Sequence, residues 1–384
     1  MGAKISVVIP LFNGVRYIGE TLDSVTAQTR APDEIIVVDD GSEDDGPALA
    51  EARPEASLVR CPHRGVGPTL NEGVARARGE FVAFLDADDR LLPETLEAEA
   101  ELLERRPEAA LVYGQARYID AEGYSIPGLF PAREYPPAEQ FGRLLERNFI
   151  LTPSGVLARR WALEEAGPFD PEISHALEYD LWLRIARRRP LACLERPVVE
   201  YRRRLGAMTG DVGGHRRGET AAVQKYSASE ILAALEAVYP ERDEARLRLA
   251  AIELKCGKTG AARELAAPFL TRKDAGLNLR LLARFTLGQC AWREGLEDEA
   301  LAYFEVCLAY APESPEVLNN LAVLHARQSA DWETATVFFE RAAKNKPGYG
   351  DAAWNCAQAR RREKRALRWT GCFLRDVLVP QPPE

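Results

Sequence analysis

The chain has 384 residues, 46% of them hydrophobic and 28% charged, which is enough for two domains with separate cores. Its net charge of −9 argues against a general nucleic-acid-binding protein, because such proteins neutralise phosphates with excess Lys and Arg. Its seven cysteines include no C-x-x-C pair and predict neither a disulfide framework nor a zinc site. No apolar run is long enough to span a membrane, and the first residues enter a predicted strand at once. We therefore expect a cytoplasmic protein.

Strands and helices alternate through the first 85 residues. Short apolar runs predict strands at residues 5–9, 34–38, 58–59 and 81–85. Apolar residues at helical spacing predict a helix between the first two strands and another before the last strand. This order predicts an α/β domain with a parallel, doubly wound sheet.

Two acidic clusters directly follow predicted strands. Asp39 and Asp40 come after the second strand, and Asp86, Asp88 and Asp89 come after the last. Ligands of such sheets bind at the carboxyl ends of the strands. Acids this close repel one another unless a cation or a hydrogen-bond donor joins them, and their oxygens suit Mg²⁺ or Mn²⁺. An acidic turn stabilised by its own backbone is the alternative for either cluster alone.

The usual phosphate-binding glycine loops are missing from the sequence. The first strand is not followed by G-x-G-x-x-G, and the chain has no G-x-x-x-x-G-K-[ST]. A dinucleotide-binding domain and a P-loop protein are therefore excluded. Carboxylates in place of a glycine loop suggest that phosphates are held through a metal, while another acid contacts a base or a ribose.

Four motifs resemble glycosyltransferase family 2, and they occur in the order found in that family. They are residues 6–13, 21–29, 34–42 and 79–89, and the resemblance covers residues 4–205. It implies the GT-A fold, a Rossmann-like, mostly parallel sheet. It also implies inverting transfer of a hexosyl or N-acetylhexosaminyl group from a nucleotide diphospho-sugar, usually a UDP-sugar, with Mn²⁺ or Mg²⁺.

The resemblance also implies roles for individual residues. Phe12 is expected to lie against the base and Asp40 to accept a hydrogen bond from the uracil N–H. Asp86 is expected to contact the ribose or a metal-bound water, and Asp88 to bind the metal directly. The other positions expected near the nucleotide sugar are Pro10, Asn13, Arg64, Asn71 and Ala87. The alternatives are a core aromatic for Phe12 and a loop cap for Asp40.

A predicted helix at residues 176–186 resembles the catalytic helix of the family. Glu178 lies six positions before Arg184, where the family usually has an Asp that acts as general base. A Glu has the same chemistry and is one methylene longer, so we expect Glu178 to take the acceptor proton. Asp180 is expected to orient or cap this segment. The alternative for Glu178 is an acid stabilised by the helix dipole.

Arg204 stands where the family often has a histidine. Arginine cannot ligate a metal, but it can pair with a diphosphate leaving group. The sequence therefore leaves metal dependence open. His215 is an alternative ligand, although it is expected in a solvated loop. Residues 120–140 are rich in Pro and Gly and predict a loop over the site.

The second half has the composition of an all-α domain with internal repeats. Ala300, Phe304 and Pro312 recur 35 residues later as Ala335, Phe339 and Pro347. This pattern resembles a tetratricopeptide repeat, in which small residues let paired helices approach; a plain helical bundle is the alternative. We therefore predict two domains, residues 1–216 and 217–384, and a peptide or protein partner for the second.

The end of the chain is basic at residues 360–368 and apolar beyond them, which predicts either a capping helix or a contact with anionic lipid. We accordingly expect at most peripheral membrane contact and no nucleic-acid partner. Two functions follow. The first is an enzyme that glycosylates a saccharide, a lipid-linked acceptor or a peptide. The second is an inactive glycosyltransferase-like domain that serves with the repeats as a binding scaffold.

Overall fold

The computed structural model describes residues 2–203, 211–346 and 350–370. It divides into two compact units, residues 1–226 and 227–384. The division falls after a helix, Val212–Gln224, that crosses the boundary expected from the sequence. Arg204, Pro347 and the apolar residues of the tail beyond 370 lie outside the described residues.

Within the described residues, the first unit has one sheet of nine strands. The strands are β1 (Ile5–Leu11), β2 (Glu34–Asp39), β3 (Ala56–Arg60), β4 (Phe81–Phe84), β5 (Arg90–Leu91), β6 (Leu111–Ile119), β7 (Ser125–Phe130), β8 (Val156–Arg159) and β9 (Leu191–Arg202). The helices of this unit are α1 (Ile18–Thr26), α2 (Gly46–Glu51), α3 (Val66–Arg76), α4 (Thr95–Arg105), α5 (Pro137–Glu146), α6 (Arg160–Ala166), α7 (Leu177–Ala186) and α8 (Val212–Gln224).

The strand order is β3-β2-β1-β4-β8-β6-β9-β5, with β7 paired to β6. The first four strands in this order are mutually parallel, as the sequence predicts. β8 lies antiparallel between β4 and β6, whereas β9 runs parallel to β6. Most residues of β1, β2 and β4 are buried, because helices cover both faces of the parallel half. This half brings the carboxyl ends of β1, β2 and β4 to one edge.

Residues 120–140 differ from the predicted loop. They contain β7 and the start of α5. Pro127 lies in β7, an exposed strand that pairs only with β6 among the described residues, and an edge strand tolerates proline. Pro137 occupies the first turn of α5, where its missing N–H costs no helical hydrogen bond. The prolines that suggested a loop therefore mark an edge strand and a helix start.

The described part of the second unit is all-helical, as predicted. Its α-helices are α9 (Ala228–Val238), α10 (Arg242–Lys255), α11 (Thr259–Ala266), α12 (Leu277–Arg293), α13 (Glu297–Tyr310), α14 (Pro315–Gln328), α15 (Trp332–Asn345) and α16 (Gly350–Arg361). Sequential helices pack against each other, most extensively in the pairs α12–α13 and α14–α15. The assignment of these helices to the tetratricopeptide family stays a prediction. Throughout the described ranges, no helix has the combined length and apolarity that a membrane crossing requires.

The residues that repeat at a 35-residue offset lie in the core of this unit. Ala300, Phe304, Ala335 and Phe339 are fully buried. The ring of Phe304 lies against Gly288 of α12, where an added Cβ would be 2.8 Å from a ring carbon. The absence of a side chain at Gly288 therefore lets α12 and α13 pack closely around the ring.

We expect Gly288→Val to lower the free energy of unfolding by about 2 kcal/mol, because the added atoms overlap a buried ring. Gly260→Val is the matched control, since Gly260 also lies in a helix but has open space around it. Its effect should stay within about 0.5 kcal/mol. Urea unfolding followed by circular dichroism measures both values. Equal stability of the two variants would contradict the close packing at Gly288.

Candidate functional site

Both acidic clusters lie at the carboxyl edge of the parallel strands. Leu11 at the end of β1 pairs with Asp39 of β2, and the N–H of Asp40 donates to the carbonyl of Leu11 over 2.8 Å. On the other side of β1, Val8 pairs with Phe84, and Asp86 follows two residues later. The structure thus brings Asp40 and the Asp86 cluster to neighbouring loops of one edge.

Asp40 is almost completely buried and is held by the loop that precedes α3. Its Oδ1 accepts the N–H of Arg64 over 2.8 Å, and its Oδ2 accepts the N–H of Gly65 over 2.9 Å. Nδ1 of His63 lies 2.8 Å from Oδ2. A carboxylate has about four lone-pair sites. With these three contacts, Asp40 fixes the loop and keeps about one acceptor site for a ligand.

Phe12 is an exposed aromatic residue beside Asp40. Its side chain is 48% exposed, which excludes the alternative of a core residue. Its ring stacks on the imidazole of His63, with centroids 4.3 Å apart and planes 21° apart. Sequence reasoning missed His63, although its position next to Arg64 was a usable signal. Together the two rings offer flat faces at this edge.

Asn13 and Asn71 have their side-chain amides engaged with other loops. Asn13 has a left-handed backbone with φ of 49°, and its Oδ1 accepts the N–H of Glu43 over 2.8 Å. Asn71 on α3 pairs with both main-chain groups of Phe169, over 2.9 and 2.8 Å. These contacts give both asparagines a role in positioning the loops around the site.

Pro10 and Ala87 contribute backbone to the edge. Pro10 lies in β1 opposite Val38 of β2. The carbonyl of Ala87 accepts the hydroxyl of Thr21 over 2.9 Å, and the same hydroxyl reaches the carbonyl of Asp89 over 2.9 Å. Thr21 on α1 thus fixes the turn that contains the second acidic cluster.

The second cluster concentrates negative charge at the end of β4. Burial, together with the charge of Asp88, raises the pKa of Asp86 to about 7. Burial, Asp88 and Asp86 also raise the pKa of Asp89 well above its usual range. The Oδ2 atom of Asp89 is buried and has no hydrogen-bond partner within residues 2–203, 211–346 and 350–370. Additional positive charge is therefore favourable here.

The donor set of this cluster fits a divalent cation that is shared with a bound ligand. Asp86 and Asp88 supply carboxylate oxygens, which suit Mg²⁺ or Mn²⁺. In the part of the chain that the structure describes, no group of three or more His, Cys, Asp or Glu side chains is arranged to hold a metal. A cation that takes its remaining ligands from water and phosphate needs only one or two carboxylates.

Arg202 is a buried cation at the cluster that sequence reasoning did not single out. Its N–H donates to Oδ1 of Asp89 over 2.8 Å, and its Nε donates to the carbonyl of Asp88 over 2.7 Å. Its guanidinium also pairs with Glu20 over 2.9 Å and lies over the ring of Tyr17 at 4.7 Å. The only signal in the sequence was its place in the basic run that ends at Arg204.

Glu178 lies near the start of α7 and is 8% exposed. Burial is the main cause that raises its pKa to about 7, and the charges of Asp86 and Glu219 add to the shift. The ring of Trp182 on the same helix lies 6.3 Å from that of Phe84 at the end of β4, so α7 packs beside the strand that the acidic turn follows. Ala176, directly before α7, has a left-handed backbone with φ of 54°, an uncommon conformation for alanine. A carboxyl group that titrates near neutral pH suits a general base.

Asp180 is fully buried on the same helix but lies in a different environment. Its Oδ2 accepts hydrogen bonds from Arg184 over 3.0 and 2.8 Å, and its Oδ1 accepts one from Lys225 over 2.7 Å. Lys225 also pairs with Asp170 over 2.7 Å. Asp180 therefore positions α7 against the segment after α8.

His215 lies in α8 and not in a solvated loop. Its ring centroid is 6.0 Å from that of His175, and burial lowers its pKa. His175 in turn lies 3.6 Å from Asp211. The pair of histidines therefore belongs to the packing between α8 and the segment before α7.

We expect Arg202→Lys to lower the free energy of unfolding by about 2 kcal/mol, because lysine cannot replace the guanidinium contacts to Asp88 and Glu20. Arg203→Lys is the matched control, since Arg203 is exposed and stacks over Tyr118. Thermal and urea unfolding of the three proteins measure the difference. If both variants lose the same stability, Arg202 is not required to hold the acidic turn.

Residues 6–167 match the family model "Glycosyl transferase family 2". An uncharacterized glycosyltransferase of Rickettsia felis is 30% identical over 204 residues, which cover 52% of this chain and 34% of the relative. Chondroitin synthase of Escherichia coli is 28% identical over 186 residues, which cover 47% of this chain and 26% of that enzyme. The chain thus spans about a third of the length of the first relatives it matches.

A crystal structure of S. aureus TarS residues 1–349 in complex with UDP-GlcNAc has a similar fold. The TM-score is 0.51 at 17% identity, and the match covers 89% of this chain and 91% of that one. At this identity the likeness concerns the fold alone. Together with the family match it confirms the predicted GT-A-like domain followed by a helical region. Residues 6–167 therefore form a glycosyltransferase family 2 domain.

Proposed function

We propose that the chain is an inverting glycosyltransferase that moves a sugar from a UDP-sugar to a hydroxyl group of an acceptor. The observation that carries this proposal is the meeting of three features at one sheet edge. These are the Asp40 loop with its aromatic faces, the acidic turn after β4, and Glu178 on α7, the helix whose Trp182 packs against Phe84 at the end of β4. The family match over residues 6–167 includes the first two.

The base of the nucleotide is proposed to bind at Phe12, His63 and Asp40. A flat ring can stack on the exposed face of either aromatic residue. The remaining acceptor site of Asp40 suits the N–H of uracil. The presence of UDP-GlcNAc in the similar TarS structure makes this sugar nucleotide the first donor to test.

The diphosphate is proposed to bind beside Asp86 and Asp88. These two carboxylates would hold Mn²⁺ or Mg²⁺, which when bound supplies positive charge against the diphosphate. The raised pKa of Asp86 supports this role, because burial and the neighbouring charge of Asp88 disfavour its ionised form and a cation would favour it. Arg204 remains the candidate to pair with the leaving diphosphate.

Glu178 is proposed to act as the general base. It takes the proton of the acceptor hydroxyl while that oxygen forms a bond to the anomeric carbon. The bond from this carbon to the diphosphate breaks on the opposite face, its electron pair leaves with UDP, and the configuration inverts. Asp180 holds the helix through Arg184 and Lys225. The relative named chondroitin synthase makes a saccharide the first acceptor to test, before lipid-linked and peptide acceptors.

The proposal is tested with UDP-glucose, UDP-galactose, UDP-GlcNAc and GDP-mannose in the presence of Mn²⁺. We expect slow release of UDP from one of them without acceptor, and stabilisation of about 2.7 kcal/mol at one hundred times the Kd. Stabilisation by a nucleotide without any turnover on a panel of saccharide acceptors would favour the binding scaffold. No stabilisation by any nucleotide would contradict the glycosyltransferase proposal and leave the binding scaffold.

Glu178→Gln should lower kcat by about two to four orders of magnitude, because the amide cannot accept the hydroxyl proton. Donor affinity should change less than about threefold, since Glu178 is not proposed to touch the nucleotide. UDP release and isothermal calorimetry measure the two effects. Glu172→Gln is the matched control, because Glu172 is exposed and precedes the same helix. Unchanged turnover in Glu178→Gln would remove Glu178 as the base.

Asp88→Asn should weaken UDP binding in the presence of Mn²⁺ by about tenfold, because the substitution removes a ligand of the metal. Binding in EDTA should stay nearly unchanged, because no metal is bound there. Calorimetry with and without Mn²⁺ separates the two conditions. Asp45→Asn, a change at an exposed residue before α2, should keep the full effect of Mn²⁺. Equal weakening of UDP binding in both conditions would show that Asp88 acts without a metal.

A further inference from the structure

A short segment of the chain lies against α14 and α16 of the second unit, which we call its inner helices. This segment, residues 367–370, is named the strap, and it follows a 3-10 helix at Lys364–Ala366. Leu367 has extended backbone angles, with φ of −68° and ψ of 136°. The basic tail therefore contains an extended stretch where the sequence predicted a capping helix.

Asparagine side chains bind the main chain of the strap. The amide of Asn355 pairs with both the N–H and the carbonyl of Arg368, each over 2.7 Å. The amide of Asn320 pairs in the same way with Thr370, over 2.9 and 3.2 Å. Residues 368 and 370 thus present both main-chain groups to one side, as alternate residues of a strand do.

These asparagines are fully buried on α14 and α16. Asn320 and Asn355 are 35 residues apart, which is the offset of the Ala and Phe residues in the core. Asn319 completes the set, and its amide donates to the carbonyl of Arg368 and to Oγ1 of Thr370, over 3.1 and 3.0 Å. Asparagine is a poor helix former, and a buried amide is costly unless it is hydrogen-bonded. A main-chain ligand explains why three of them occur here.

One side chain of the strap is anchored in an aromatic pocket. The ring of Trp369 stacks on Trp292, with centroids 4.1 Å apart and planes 3° apart. Its edge meets Phe304 at 5.4 Å. The guanidinium of Arg368 instead lies over the partly exposed ring of Trp354, at 4.1 Å. The strap therefore binds through its main chain and the indole of Trp369, with further side-chain contacts from Leu367, Arg368 and Thr370.

We propose that this inner surface is a binding site for an extended segment of a partner protein that presents a tryptophan, and that the strap occupies it as an intramolecular ligand. Every residue except proline offers the same main-chain N–H and carbonyl. The asparagines therefore do not distinguish the strap from another chain, and the pocket of Trp292 and Phe304 selects the indole. A partner has to displace a tethered competitor whose effective concentration is on the order of 1 mM.

The strap has the features of a ligand more than of a permanent cap. Leu367 and Trp369 pack against the apolar core as the residues of a cap would, but the buried asparagine amides face main-chain groups, which a cap does not require. Residues 361–365, which connect α16 to the strap, are exposed. Removal of the strap would leave the amides facing water, where they stay hydrogen-bonded.

The experiment uses the full chain and a labelled, end-blocked peptide with the sequence of residues 364–370. Trp369→Ala removes the anchor of the strap, so we expect this variant to bind the peptide at least about tenfold tighter than the unaltered chain. Fluorescence anisotropy measures both affinities. Binding that is absent in a folded Trp369→Ala variant would overturn the proposal.

Altered peptides test the chemistry without changing the protein. N-methylation at the position of Thr370 or Arg368 removes a donor to Asn320 or Asn355 and should weaken binding about tenfold. Replacing the tryptophan by alanine should weaken it at least as much. A peptide with alanines around a central tryptophan should bind within about threefold of the original. If N-methylation has no effect, the asparagines do not recognise main chain.

Protein variants provide a second and independent readout. In the Trp369→Ala background, where the strap no longer competes, Asn320→Ala and Asn355→Ala should each reduce peptide binding, whereas Asn345→Ala should not, because Asn345 is exposed and donates to Glu313. Should Trp369→Ala fail to fold, a protease site inserted after Arg362 serves in its place. Cutting the folded chain there should allow the strap to exchange with labelled peptide, and a cut chain that never exchanges it would identify the strap as a permanent cap.

Discussion

The candidate site depends on how the charge of the acidic turn after β4 is compensated. Asp86, Asp88 and Asp89 lie within four residues, and their mutual repulsion is strengthened by burial. Arg202 holds the turn in spite of this repulsion, because its N–H donates to the carboxylate of Asp89 and its guanidinium donates to the carbonyl of Asp88. Arg202 is the last residue of β9. The half of the sheet that contains β9 is therefore needed to hold the turn after β4, which belongs to the parallel half.

The short strand β5 makes this dependence possible. It begins directly after Asp89, and its Arg90 pairs with Glu200 of β9 both in the strand register and through a salt bridge of 2.8 Å. The chain therefore leaves the acidic turn in a fixed direction, and two residues along β9 the main chain of Arg202 meets Asp89. Parallel strands place the acids at the edge, and the antiparallel pair beyond them sets the conformation of the turn.

The parts of this architecture that follow a local pattern could be predicted from the sequence. Strands β1, β2 and β4 are visible in the sequence as short apolar runs. The two acidic clusters are equally visible, because they directly follow the runs of β2 and β4. Arg202 and Lys225 could not be found in this way. Their partners lie more than 40 residues away, and the periodicity of a strand or helix carries no information about such pairs. Tertiary contacts give both residues their roles, and in the sequence Arg202 is one of three consecutive arginines.

Helix α7 shows how the environment gives two similar acids different properties. Asp180 and Glu178 lie two residues apart on α7, and both are buried. Asp180 is neutralised by Arg184 and Lys225, whereas burial, together with the charges of Asp86 and Glu219, raises the pKa of Glu178. The resemblance had implied different roles for them, a general base for Glu178 and an orienting or capping residue for Asp180, without a physical reason for the difference. The tertiary contacts make Asp180 a positioning residue and leave Glu178 able to exchange a proton near neutral pH.

In the second unit, residues that repeat at the 35-residue offset lie on two different surfaces. The Ala and Phe residues at this offset fill the space between paired helices, and their burial is what a repeat requires. Asn320 and Asn355 share the offset but lie on α14 and α16. Asn320 pairs with residue 370 of the strap and Asn355 with residue 368. A repeat that only needed to stack would gain nothing from buried amides on that face, since apolar residues of the same size would pack there without a hydrogen-bonding cost. The asparagines are therefore best understood as a repeated recognition element whose spacing matches an extended main chain.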